Sequence, residues 1–376
     1  MDAKKTVLYD EHLRLGGKMS DFAGWIMPLW YTTGQSDEHH ATRKAVGLFD
    51  ICHMGEFEIT GPGSYDFVVR MLCNKVYKLK DGRAQYNFML NDEGGVVDDC
   101  IIYRFSEESW MLVVNAGNIE KDFQWLKAHV PENVTLKDVS DQTAKIDVQG
   151  PNAPKLLAKL AGQEIIGKLR FFRFAADVDI QGMKVLVSRT GYTGEIGFEL
   201  YTDAGNAVKL WNLLLDQGRE YGILPCGLGA RDTLRTEAGL PLHGHELHPE
   251  RAAVGHPWSF VLDFEHDFIG KDALQKAIDS GDHGYVYGFV LDGRRKAMPG
   301  YQVYAGGKEI GTVLSGVISP TLDNKPVGFV LVNRELEPDA PLEFRRNGKQ
   351  PGLEGRVAET PLVPGTARGK MAEYIQ

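Results

Sequence analysis

Asn91-Asp92-Glu93-Gly94-Gly95-Val96-Val97-Asp98-Asp99-Cys100-Ile101-Ile102-Tyr103 joins five turn-forming residues to a run of β-formers. It reads as a hairpin-type connection feeding a strand. A strand-like run precedes it, Tyr86 to Leu90. The strand itself extends from Val96 to Phe105, and a third run follows from Trp110 to Asn115. Strand alternation puts Asp98 and Cys100 on one face and Asp99, Ile101 and Tyr103 on the other. One aspartate can sit at a solvent-facing or capping position, but alternation alone does not account for two. A carboxylate on the inner face costs roughly several kcal/mol unless it is paired or hydrogen-bonded. The pair is therefore either a chemical site or a structural brace for the amides of the Gly94-Gly95 bend. The strand pattern does not choose between Asp98 and Asp99.

Helical spacing appears outside this meander from Leu8 to Leu15, from His39 to Phe49 with an end near Gly47, from Ser64 to Cys73 and from Asn118 to Val130. It recurs after Asn152 through Leu160. Ala204 to Tyr221 is strongly amphipathic, with Val208, Trp211, Leu214 and Leu215 on the expected apolar face. Strands are expected at Glu56–Thr60, Ala144–Val148, Lys184–Thr190 and Ile196–Tyr201. Asp279 to Gly284 is polar and glycine-rich and reads as a linker. Short strands at regular spacing beyond it predict a small all-β domain.

The chain has 376 residues, enough for about two or three domains with sizeable cores. Its 42 Lys+Arg against 51 Asp+Glu give a formal charge of −9, without the basic footprint of a nucleic-acid binder. No apolar run reaches the ~20 residues of a membrane span, and no signal core or transit peptide is expected, so a cytoplasmic protein is predicted. The four cysteines, Cys52, Cys73, Cys100 and Cys226, form no C-x-x-C pair and are expected as free thiols.

Several chemistries are excluded by reading. There is no G-x-S-x-G elbow and no phosphate-binding G-K-[ST] loop, and Asp232 stands where a dinucleotide fingerprint needs its third glycine. His243-Gly244-His245-Glu246-Leu247-His248 has H-E-x-H spacing, which does not put two imidazoles on one helix face. A structural or substrate-contacting loop is expected there, and no metal. Glu199 points away from the apolar face of Ile196, Phe198 and Leu200, either to solvent or into a site. Arg231 follows Gly227 and Gly229, so it and the first-turn amides could face a cavity together. A carboxylate, an arginine and a helix start would suit a flat, amidine-bearing heterocycle with an acidic tail.

The order of motifs resembles the glycine cleavage system T-protein family of tetrahydrofolate-dependent enzymes over nearly the whole chain. The similar stretches are Met19–Trp25, Phe49–Phe57, Gly94–Asp99, Val113–Ala116, Gln149–Pro151, Arg189–Glu195, Gly227–Asp232 and Ser319–Leu322. The resemblance implies an α+β, three-domain cloverleaf around a central folate channel. Residues 1–50 with 142–245 would form one α+β domain, 51–141 with 246–280 an interleaved second, and 281–376 a C-terminal all-β, barrel-like domain.

The resemblance also implies roles. Asp99 matches the family's catalytic aspartate, Glu199 the glutamate on the pterin edge and Arg231 the arginine that helps hold folate. Met54, Tyr86, Tyr103, Asn115 and Tyr192 match positions lining the pocket. The implied activity takes an aminomethyl group from the lipoyl arm of H-protein, releases ammonia and forms 5,10-methylenetetrahydrofolate. Relatives of the fold instead demethylate sulfonium, N-methyl or methoxy-aromatic small molecules onto tetrahydrofolate, or bind folate in a regulatory role. The sequence departs from the usual family pattern at Cys52, at Leu242-His243-Gly244 and at Gly255-His256-Pro257-Trp258, which leaves the donor and the roles of His243, His245, His248 and His256 open.

Overall fold

The computed structural model describes residues 3–375. Its first large sheet has six strands in the order Phe174–Ile180, Met183–Ser188, Gly197–Asp203, Thr143–Gln149, Val46–Asp50, Ile223–Cys226. The second has five, in the order Arg83–Leu90, Val96–Ser106, Ser109–Val114, Gly55–Thr60, Thr135–Asp138. The chain leaves the first sheet at Asp50, builds the whole second sheet, and returns at Thr143. A third, smaller sheet joins Lys4–Lys5, Trp25–Trp30 and Lys18–Phe22. Six strands between Tyr285 and Ala358 close into a barrel. This is the all-β unit expected beyond the linker, with two additions: Leu353–Ala358 completes the closure, and one strand runs from Lys308 to Ser319.

Apolar alternation fixes each layer. Ala144, Ile146 and Val148 point into the core of the first sheet with Val185, Val187, Phe198 and Leu200. The helix Ala207–Gln217 covers them through Leu210, Trp211 and Leu214. Val208, expected on that face, is instead 40% exposed. The helix is shorter than its amphipathic stretch, and Gly218 separates it from a single turn at Arg219–Tyr221. The expected helix from His39 to Phe49 is also corrected. The helix is Gln35–Lys44, and Val46–Asp50 is a strand buried on both faces between Thr143–Gln149 and Ile223–Cys226. The expected linker begins inside a helix, Lys271–Ser280, whose Leu274 packs against Leu90 and Val96.

The bend at Asn91–Gly95 is built as its residues predict. Gly94 has φ +77°, and Asn91 Oδ1 accepts from the Gly95 amide at 2.8 Å. Gly95 is required for another reason: a Cβ there would meet the Pro249 carbonyl oxygen at 1.8 Å. Among the described residues no helix is long and apolar enough to cross a membrane.

Candidate active site

Asp98 and Asp99 project to opposite faces of their strand, as alternation required. Asp98 is fully buried, on the side of Cys100 and Ile102. It accepts from the Asn115 amide at 2.9 Å and from Asn115 Nδ2 and Asn118 Nδ2 at 2.9 and 2.6 Å. Its role is to tie the start of the helix Ile119–His129 to the strand. Asp122, on that helix, is buried against it, and burial together with Asp98 pushes its carboxyl far up.

Asp99 lies on the other face, half-buried. The Tyr86 hydroxyl donates to its Oδ2 at 2.8 Å, and Asn115 Nδ2 donates to its Oδ1 at 2.8 Å. One donor from the neighbouring strand Arg83–Leu90 and one just past the end of Ser109–Val114 fix the carboxylate plane. Burial, and then the Asp98 charge, raise its pKa to about 7, against the downward pull of these two hydrogen bonds. A carboxyl poised near neutrality can take and return a proton at physiological pH.

Glu199 is not on a solvated face. It is 3% exposed, and Thr190 Oγ1 donates to its Oε2 at 2.6 Å. Lys145 Nζ stands 3.4 Å from its Oε1. Burial would raise the Glu199 pKa, but Lys145, the Thr190 hydroxyl and Arg231 outweigh it and hold the group ionised. Tyr103, also fully buried, forms the floor beneath it: its hydroxyl meets Tyr201 at 2.9 Å and Glu199 Oε2 at 3.4 Å. Met54 Sδ lies 3.5 Å from Lys145 Nζ.

Arg231 projects from the helix Leu228–Glu237 over the Tyr192 ring, 4.7 Å from its centroid. Its Nη1 is 3.6 Å from Asp147 Oδ2. Both atoms are buried, and among the described residues neither has a hydrogen-bond partner. The Tyr192 hydroxyl donates to the Pro241 carbonyl, and Asp99 is near enough to raise the tyrosine's pKa further after burial. The start of this helix is closed, contrary to the expectation that its first-turn amides face the cavity. A Cβ at Gly227 would meet the Leu29 carbonyl oxygen at 2.4 Å, and Gly229 packs on Gln35. The glycines serve close packing, and Arg231 alone reaches the site.

The structure therefore gathers Asp99, Tyr86 and Asn115 into one group, Glu199, Tyr103 and Met54 into a second, and Arg231 with Tyr192 between them. Two residues that sequence reading passed over complete the charge balance. Lys145 and Asp147 share the face of their strand opposite Ala144, Ile146 and Val148, and both are fully buried. Burial and the Glu199 charge raise the Asp147 pKa. The signal was present in the Lys-x-Asp alternation, but it looks like an ordinary solvated face until the opposite wall is in place. That wall is the patch where Tyr103, Met111 and Val113 of the second sheet meet Tyr201 and Leu186 of the first.

The histidine loop uses its rings on backbone. His243 Nε2 donates to the Val96 carbonyl at 3.0 Å, and His245 Nδ1 donates to that of Leu314 at 3.1 Å. Asn118 Nδ2 lies 3.0 Å from His243 Nδ1, so the loop is hydrogen-bonded to the residues that hold Asp98.

Residues 8–265 match the family model described as the GCVT N-terminal domain, and residues 286–363 match that of the glycine cleavage T-protein C-terminal barrel domain. The chain belongs to the glycine cleavage T-protein family. Among its T-protein relatives, the aminomethyltransferase of Geobacillus sp. (strain WCH70) is 44% identical over 362 residues, covering 96% of this chain and 98% of the relative. That of Halalkalibacterium halodurans is 45% identical over 338 residues, covering 89% and 91%. A solved T-protein structure, glycine cleavage system aminomethyltransferase T from Bartonella henselae, superposes with a TM-score of 0.88 at 31% identity, covering 97% of this chain and 99% of that one.

Proposed function

We propose that the protein is the tetrahydrofolate-dependent aminomethyltransferase of a glycine cleavage system, with aminomethylated lipoyl H-protein as donor and ammonia and 5,10-methylenetetrahydrofolate as products. The observation that carries this reading is Asp99, a carboxyl oriented by Tyr86 and Asn115 and raised to about 7. Tetrahydrofolate, when bound, supplies the amine that receives the carbon. Asp99 would orient that amine and take the proton it loses. Glu199, kept anionic by Lys145, would accept from the amidine edge of the pterin. Arg231, whose Nη1 faces Asp147 Oδ2 at 3.6 Å without hydrogen-bonding it, would meet an acidic group of the ligand. The orphaned Arg231 and Asp147 atoms fit a ligand that brings its own donors and acceptors.

The alternatives were a demethylase of a methylated small molecule and a non-catalytic folate-binding protein. Relatives named as aminomethyltransferases across nearly the full length favour the first reading over both. A pure binder has no need of a carboxyl placed to exchange a proton. We also retain the division into residues 1–50 with 142–245, 51–141 with 246–280, and 281–376. The separate sheets and the packing of Leu247, Ala253 and Phe268 on Phe88 and Leu90 support it. We place this activity in the cytoplasm.

The deciding experiment supplies tetrahydrofolate with aminomethylated H-protein, and separately with sulfonium, N-methyl and methoxy-aromatic compounds. Methylenetetrahydrofolate and ammonia are expected with H-protein alone. Product only from a methylated compound would overturn the assignment.

A further inference from the structure

A cavity of about 200 Å³ lies between the segment Glu246–His256 and the start of the barrel at His283–Val286, and Asp99, Glu199 and Arg231 take no part in it. Arg251 and His256 line it, with His248 and His283 beside them. Arg251 donates through Nη2 to the His245 carbonyl, yet its Nε is buried and unpartnered among the described residues. No carboxylate among those residues lies within ion-pairing distance of it. Glu246, which also lines the cavity, is committed to Arg235 at 2.7 Å, to the Ser315 hydroxyl and to the Leu242 amide. Glu250 and Asp282 are exposed at the rim.

His256 caps the turn Pro257–Val261, with its Nδ1 3.2 Å from the Ser259 hydroxyl. Its other ring nitrogen, Nε2, is buried and has no hydrogen-bond partner among the described residues, and with the ring proton there it can donate to a ligand. A half-buried guanidinium with a buried, unpartnered Nε and an imidazole with a buried, unpartnered Nε2 therefore share one small cavity. Leaving both unmatched is costly, and a compact acceptor-rich anion would satisfy both.

We propose that this cavity is a binding site for a small oxyanion, a phosphate or a carboxylate, held by Arg251 and the Nε2–H of His256. The two sources of such chemistry are free inorganic phosphate and a carboxylate chain of a larger ligand. An anion there would also brace the loop on the strand of Asp99, because the Val96 amide donates to the His248 carbonyl at 3.1 Å.

The test is calorimetric titration of the full chain with inorganic phosphate and, separately, with γ-linked triglutamate at constant ionic strength. It is repeated on Arg251→Gln and His256→Phe. The phenylalanine keeps a ring against Phe88 and Trp258, so it carries the test if the Arg251 variant fails to fold. A dissociation constant of about 1 mM or tighter for one probe, weakened about tenfold or more by His256→Phe and by Arg251→Gln where it folds, supports the site and identifies the source. No binding of either probe at about 10 mM, or equal binding by wild type and His256→Phe, overturns it.

Discussion

Asp147 and Glu199 stand directly opposite each other on neighbouring antiparallel strands, both buried. Like charges in that register oppose pairing. The site resolves the conflict by dividing the proton: Glu199 is held ionised by Lys145, and Asp147 is pushed up by burial and by Glu199. The result is one fixed anion and one exchangeable acid on a single wall.

Removing Lys145 therefore undoes two things at once. Lys145→Met should cost about 3–5 kcal/mol of stability, since it strands a buried carboxylate. It should also weaken tetrahydrofolate binding. Denaturant midpoints and calorimetry read the two effects separately, and unchanged affinity in the folded variant would remove Lys145 from the site. Glu199→Ala is expected to weaken folate binding as well. Because Glu199 is the buried partner of Lys145, that substitution should lower stability too, where a solvated glutamate would leave it unchanged.

Asp99→Asn keeps the size and the Tyr86 contact but cannot take a proton. Transfer should fall by about 10²–10⁴-fold while folate affinity stays largely intact. Wild-type turnover in this variant would end the catalytic assignment.

The pH response of Asp99 has a definite sign. Its folded pKa, about 7, lies above the ordinary carboxylate value. The folded state therefore binds the extra proton between those two values, and this group's contribution to stability falls as pH rises through that window. Activity should do the opposite, rising through about pH 7 as Asp99 ionises. A flat wild-type rate profile across neutrality would contradict the role.

Glu237 behaves in the contrary way. Burial would raise its pKa, but His39, Ser319 and Arg43 hold it down to about 2. Its contribution is complete above the ordinary carboxyl range and is lost as pH falls towards about 2. Glu237→Gln should flatten acid unfolding in that range. Glu237→Ala should cost about 3–5 kcal/mol, because Arg43 and His39 lose a buried partner. It should also loosen the barrel at Ser319 and Thr321, seen as faster amide exchange there.

Gly95→Ala tests the bend. The added methyl meets the Pro249 carbonyl oxygen and must separate the loop from the strand. A loss of about 1–3 kcal/mol is expected, with reduced transfer from displaced Asp99. A stability equal to wild type would show that the loop yields freely.

The strand of Asp99 was legible because its alternation is local: Cys100 and Ile102 on one side and Tyr103 on the other needed no partner to be read. Choosing Asp99 over Asp98 took the motif resemblance, and the structure shows the physical difference. Asp98 spends its oxygens on the Asn115 and Asn118 amides. Val46–Asp50 was misread because a strand buried on both faces carries no alternation and its apolar spacing continues that of the preceding helix. Lys145 and Asp147 were passed over because burial of their face is a tertiary event.

The excursion of the chain between Asp50 and Thr143 has a consequence for synthesis. Val46–Asp50 emerges early but finds its antiparallel neighbour only at Ile146–Gln149 and its parallel one only at Ile223–Cys226. The whole second sheet is made in the interval, and its hairpins from Arg83 to Val114, joined by Gly55–Thr60 and Thr135–Asp138, can pair while that first strand still lacks both neighbours. Ribosomal emergence should thus order the assembly, with the inserted sheet formed first and the surrounding one closed late. The long-range pairing makes that closure the slow step. The pocket between the two sheets would then be among the last parts of the molecule to exist.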